Sequence, residues 1–167
     1  MRSDIQPVLD YLKEYDMLLV TAESCTAGRV IHLLSEIPGS GSCLDAGYVV
    51  YSPAAKQRLL GVHPYTIDTF NLTSEEVARE MAIGALHDSD AAVAISNTGL
   101  AGPDGVDGIP PGTVCFGWGF RYQGELVVFS RTERFFGGRE DVQLAAAVYS
   151  LTNIPLFHAR LLRGERG

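Results

Sequence analysis

The chain has 167 residues, enough to bury a full core as one domain, and its 46% hydrophobic and 20% charged residues are the mix of a folded chain, not a disordered one. A formal net charge of −7 leaves no basic excess to neutralise phosphates and argues against broad nucleic-acid binding; one small anion stays open, because a helix end and a single Arg suffice for it. No run approaches the roughly 20 apolar residues of a membrane span, and residues 1–7 lack the apolar centre of a signal peptide, so a cytoplasmic protein with no membrane partner is expected.

In chain order, Ile5, Val8, Leu9 and Leu12 mark one face of an opening helix, with Ser3 or Asp4 as its cap. Residues 17–22 read as a short buried strand. A helix over 26–36 follows, with Ala27, Val30, Ile31 and Leu34 at helical spacing. Residues 37–42 are a breaker cluster and should be loop, and 47–52 are β-rich and read as a second strand. Pro53 fits the first turn of a helix running to about Leu60, with Gly61 as its stop. Thr73-Ser74-Glu75-Glu76 carries a Thr-x-x-Glu capping box, starting a helix to His87 or Asp88. Residues 91–96 are a small-apolar run typical of a strand covered on both faces. A Gly- and Pro-rich loop over 97–112 leads to a strand at 113–121, which Tyr122-Gln123-Gly124 turns into another at 125–134. A last helix is expected from near Gly138 to near Leu151. Strands alternating with helices and then a hairpin predict an α/β layered domain, its sheet mostly parallel with an antiparallel edge.

Three places can hold chemistry. Ser24 stands where a strand turns into a helix, so its hydroxyl is presented at a sheet edge and the amides that follow point at whatever binds there. Equally, Ser24 or Thr26 could simply cap the helix. Lys56 falls in the first turn of its helix, where the positive end of the dipole disfavours its charge. The chain has only two lysines, Lys13 and Lys56. A lysine that can lose its proton suits the role of base for a serine hydroxyl, which an arginine cannot fill, and Tyr51 is near enough in sequence to pass a proton between them. A solvated surface lysine is the plainer reading. The third place is the segment from Ser96 to Gly105, at the carboxyl end of a buried strand, where open α/β sheets commonly bind ligands; it matches neither a Walker loop nor a dinucleotide fingerprint. Arg139, at the start of the last helix, could hold a phosphate or pair with Glu140 or Asp141. Cys25, Cys43 and Cys115 are odd in number and widely spaced, which supports neither disulfides nor zinc; Cys25 is either a nucleophile or a small buried thiol. His32, His63, His87 and His158 form no ligand pair, so no metal or other cofactor is expected.

Ala-Glu-Ser-Cys-Thr-Ala-Gly at 22–28 resembles the opening signature of the CinA C-terminal domain family. Further matches follow in order: Ile37-Pro38-Gly39-Ser40, Gly47-Tyr48-Val49-Val50-Tyr51-Ser52 with Lys56, Leu60-Gly61-Val62, Met81-Ala82, Thr98-Gly99-Leu100-Ala101-Gly102-Pro103, Pro111-Gly112-Thr113-Val114 and Gly138-Arg139. Together they span about residues 5–155 of a single domain. The resemblance implies a three-layer α/β/α sandwich and a metal-free amidohydrolase converting nicotinamide mononucleotide to nicotinate mononucleotide and ammonia. It implies a dyad of Ser24 and Lys56 assisted by Tyr51, with the oxyanion held near Thr26 and Ala27. Ser40, Ser42, Thr98, Gly99, Gly102 and Arg139 are then expected at the substrate, a pyridine mononucleotide, and a homo-oligomer is expected. Four departures from the family pattern stand out. Gly41 replaces a second serine, Pro53 an asparagine, and Asn71-Leu72-Thr73-Ser74 a Gly-Ala-Val-Ser segment; Gln143 stands where many members have another arginine. They leave open a nucleotide-binding paralogue without turnover, or an amidase for another carboxamide.

Overall fold

Alternating side chains along five strands divide the apolar residues into two halves, one on each face of a sheet. The computed structural model describes residues 2–167, with side chains from Ser3 onward. Its elements in chain order are α1 (Arg2–Glu14), β1 (Leu19–Glu23), α2 (Arg29–Ser35), a short 3-10 turn (Ser40–Ser42), β2 (Leu44–Val49), α3 (Pro53–Leu60), α4 (Pro64–Phe70), α5 (Glu75–His87), β3 (Val93–Gly99), β4 (Thr113–Tyr122), β5 (Glu125–Arg134), α6 (Arg139–Thr152) and α7 (Ile154–Leu162). The strands lie in the order β2-β1-β3-β4-β5. Leu19, Val93, Ile95, Phe116, Trp118 and Phe120 pack on one face with α1, α2, α6 and α7. Val20, Ala22 and Ala94 pack on the other with α3, α4 and α5. The three-layer α/β/α expectation holds.

The mostly parallel sheet needs correcting. β1 pairs parallel with β2 and with β3, but β4 pairs antiparallel with both β3 and β5, so half of the ladders are antiparallel. The cause is the connection: β4 follows β3 through a loop with no crossover helix, so it runs back beside its predecessor.

Local signals explain most boundaries. Pro53 opens α3, Ser52 Oγ accepts from Ala55 N at 3.0 Å, and Gly61 at φ 70° closes it. The cap of α5 is Ser74, one residue beyond the expected Thr73, with its Oγ accepting from Val77 N. Because α1 already begins at Arg2, Ser3 and Asp4 lie within its first turn rather than ahead of it. α2 starts at Arg29 rather than Thr26, since Ala27 and Gly28 both adopt positive φ and form a turn. α4 and α7 were not anticipated. At Gly84 in α5 a Cβ would lie 1.9 Å from the Leu60 carbonyl oxygen, so only glycine lets α5 press against the end of α3.

The chain leaves β1 over one face, through α2, to reach β2, and travels from β2 to β3 over the other face through α3, α4 and α5. The carboxyl ends of β1 and β3 therefore flank the crevice where crossovers part, the usual ligand position in such sheets. Among the described residues no helix is long and apolar enough to cross a membrane.

Candidate active site

Glu23, the last residue of β1, is fully buried. Its Oε1 accepts from Thr26 Oγ1 at 2.6 Å, Gly28 N at 3.1 Å and Val30 N at 2.9 Å, and its Oε2 from Ile31 N at 3.1 Å. One carboxylate thus satisfies the orphan amides of α2 and complements the positive end of its dipole. The open reading of Ser24 or Thr26 as the helix cap is settled: Glu23 fills that role, and Thr26 donates to it.

Ser24 then begins the turn. Its amide donates to Asn97 Oδ1 (3.2 Å), which also accepts from Cys25 Sγ (3.4 Å), while Asn97 Nδ2 donates to Thr26 Oγ1 (2.8 Å). Asn97 on β3 thereby pins three consecutive residues of the turn. From the opposite layer, Lys56 Nζ donates to Ser24 Oγ at 2.9 Å, to the Val50 carbonyl at 2.8 Å and to the Tyr51 carbonyl at 3.3 Å. Lys56 has no exposed surface and, among the described residues, pairs with no carboxylate. Burial lowers its pKa from 10.5 to about 8. Desolvation is the dominant cause, where the sequence pointed to the helix end. A neutral amine has two N–H bonds and one lone pair. With the two carbonyls taking the N–H groups, the lone pair faces the Ser24 hydroxyl. Burial pushes the adjacent Cys25 thiol up to about 12, so of the two candidates Cys25 is the inert, buried thiol.

Ser24 and Cys25 open onto a cavity of about 480 Å³, lined also by Tyr51, Leu72, Thr98, Gly99, Gly102 and Arg139. That size falls within the roughly 300–1,000 Å³ of small-molecule sites. Arg139 donates to the Gly102 carbonyl and, at 2.9 Å, to the Tyr51 hydroxyl; it pairs with neither Glu140 nor Asp141, whose own Oδ2 caps Gly138 N. Thr98 Oγ1 donates to the Leu72 carbonyl, and at Gly99 a Cβ would lie 2.5 Å from the Thr113 carbonyl oxygen. Among the described residues no group of three His, Cys, Asp or Glu side chains is placed to hold a metal ion.

Three expectations are corrected. Ser40 and Ser42 lie in the turn before β2, at the amino end of the parallel strands, so the length of β1, roughly 16 Å, separates them from the cavity. Their hydroxyls donate to Ser35 and Gly39 carbonyls instead. The Ala27 amide is already bonded to the Ser24 carbonyl at 3.0 Å, which leaves the amides of Cys25 and Thr26 as the ones in this turn without an acceptor among the described residues. Tyr51 does not bridge Ser24 and Lys56, which touch directly; its hydroxyl meets Arg139 and its carbonyl meets Lys56. Asn97 and Glu23 were missed as builders of the site. An Asn ending an apolar strand and an acid ending another were the available signals.

The family model for the CinA C-terminal domain matches residues 3–156. A nicotinamide-nucleotide amidohydrolase PncC of Enterobacter agglomerans is 44% identical over 84% of this chain and 84% of its own length. The protein of that name from Escherichia coli (strain K12) is 40% identical over 86% of each. A CinA-like protein of Chlorobium phaeobacteroides is 48% identical over 73% of this chain, which spans 28% of that longer protein. The crystal structure of a competence-damaged protein (CinA) superfamily protein from Klebsiella pneumoniae superposes with a TM-score of 0.89 at 32% identity, covering 95% of this chain and 98% of the other.

Proposed function

The chain belongs to the CinA C-terminal domain family, and on that premise we propose that it is an amidohydrolase that converts nicotinamide mononucleotide to nicotinate mononucleotide and ammonia through a Ser24–Lys56 dyad. The observation that carries the reading is the 2.9 Å contact between Lys56 Nζ and Ser24 Oγ at the wall of the cavity. The names of the amidohydrolase relatives support the substrate.

Neutral Lys56 takes the Ser24 proton as Oγ bonds to the carboxamide carbon of the nicotinamide ring. The carbonyl oxygen becomes negative and is held by the amides of Cys25 and Thr26, each such donor contributing roughly 3–4 kcal/mol. Protonated Lys56 passes its proton to the amide nitrogen, the C–N bond breaks and ammonia leaves. Water, deprotonated by Lys56, then attacks the ester carbon, and the carboxylate product departs as Ser24 regains its proton. Arg139, at the cavity and with no carboxylate partner among the described residues, holds the phosphate. The Gly41 departure lies at the far end of the sheet and leaves this chemistry untouched.

Incubation with nicotinamide mononucleotide, following ammonia, tests the reading. Release by the wild type that falls about 10³-fold or more in Ser24→Ala and in Lys56→Ala is expected. Tight ligand binding without ammonia from well-folded protein would overturn it. Arg139→Gln should raise KM more than it lowers kcat.

A further inference from the structure

Gln143, in the second turn of α6, reaches across to the turn after β1 and donates from Nε2 to the Cys25 main-chain carbonyl at 3.1 Å. Among the described residues the one cis peptide is Gly102–Pro103, so the Cys25–Thr26 peptide is trans and its N–H points opposite to its C=O. With that carbonyl tied to α6, the Thr26 N–H is turned away from α6. Apart from the Cys25 amide, the other amides of the turn are engaged: Ser24 N with Asn97, Ala27 N with the Ser24 carbonyl, and Gly28 N with Glu23. Among the described residues Thr26 N finds no acceptor, although Thr26 is fully buried. A buried amide left without a partner costs free energy unless something else occupies it.

We propose that Gln143 is a positioning residue for acyl transfer: by holding the Cys25 carbonyl it aims the Thr26 N–H at the oxygen that gains charge when Ser24 attacks. The bond to the carbonyl also polarises the same peptide and makes its N–H a better donor. This rests on the reading of Ser24 as a nucleophile armed by Lys56. Without Gln143 the buried carbonyl loses its donor, and the peptide is free to rock about its flanking dihedrals.

The test uses wild type, Gln143→Met, which keeps the bulk and removes the donor, and Gln143→Arg, which restores an N–H at similar reach. Two rates are read on each, beside the melting temperature. One is modification of Ser24 by an alkyl fluorophosphonate: the Oγ–P bond forms, the P–F bond breaks, fluoride leaves and the serine proton passes to Lys56. The other is ammonia release from nicotinamide mononucleotide. Gln143→Met is expected to slow Ser24 modification about tenfold or more and to lower kcat in step, with KM within about twofold of wild type, and Gln143→Arg to recover most of the loss. A Gln143→Met protein that melts lower yet reacts at the wild-type rate overturns the proposal and makes the contact merely structural. So does wild-type Ser24 that resists the probe, or a loss that Gln143→Arg leaves unrepaired. Wild type that is modified at Ser24 but releases no ammonia removes the substrate assignment, and the modification rates still decide the role of Gln143.

Discussion

Lys56 pairs a lowered pKa with a buried contact to Ser24, and both consequences are measurable. If its neutral form is the base, activity should climb about tenfold per pH unit below about 8 and level off above it. A rate flat from pH 6 to 9 would remove Lys56 from that role. The same shift acts on stability. Between about 8 and 10.5 the unfolded chain binds a proton at this position that the folded chain does not, so stability rises with pH across that window. Relative to Lys56→Met, the wild type should gain up to roughly 3 kcal/mol on going from below pH 8 to above 10.5, read by denaturant unfolding at each pH. Ser24 and Lys56 were legible because each sits at an element boundary that Gly, Pro and apolar spacing mark. Asn97 was not, since its partners lie more than seventy residues away and only the pairing of β1 with β3 brings them together. Ser40 and Ser42 mislead for a related reason: a motif carries residue types but says nothing of which end of a strand they will occupy.

The elements α2 and α3 deliver the two halves of the site, and each hangs on one local feature. Glu23→Ala strips the acceptor from four donors at the start of α2, three of them main-chain amides, and should destabilise the fold by about 2–4 kcal/mol, seen as a lower denaturant midpoint. Gly84→Ala places a methyl against the Leu60 carbonyl. The expected outcome is a shift of α3, a loss of at least about 1–3 kcal/mol and a fall in kcat as Lys56 leaves Ser24. A fully active, equally stable Gly84→Ala protein would contradict the close approach of α3 and α5. The bounds of α3, β4 and β5 were readable because Pro53, Gly61 and the large–small alternation before and after Gly124 are strong, local cues. α4 carries a single buried residue, Thr66, and so has no apolar stripe to detect. α7 opens on Ile154-Pro155, where the proline sits in the first turn of a helix instead of ending one.

At the scale of the whole molecule, the strand order and the two crossovers create the crevice, and the likeness to the Klebsiella pneumoniae structure shows the same architecture at 32% identity. The fold class was legible from the alternation of elements, whereas the pairing of β4 beside β3 was not, because local periodicity marks a strand without naming its neighbour in the sheet. Ser24 comes from the turn leading into the α2 layer and Lys56 from the α3 layer beneath the sheet. Partial release of the α3–α5 layer by mild denaturant should therefore abolish ammonia release while the signal of Trp118, buried on the opposite face, is retained. An intermediate still in command of both layers would keep turning over. If Ser24 and Lys56 act as the proposed dyad, a chain caught midway through folding is chemically mute: its alcohol stays an ordinary alcohol until the second storey of helices is laid against the first, and the maturing protein carries no armed nucleophile to stray onto other amides.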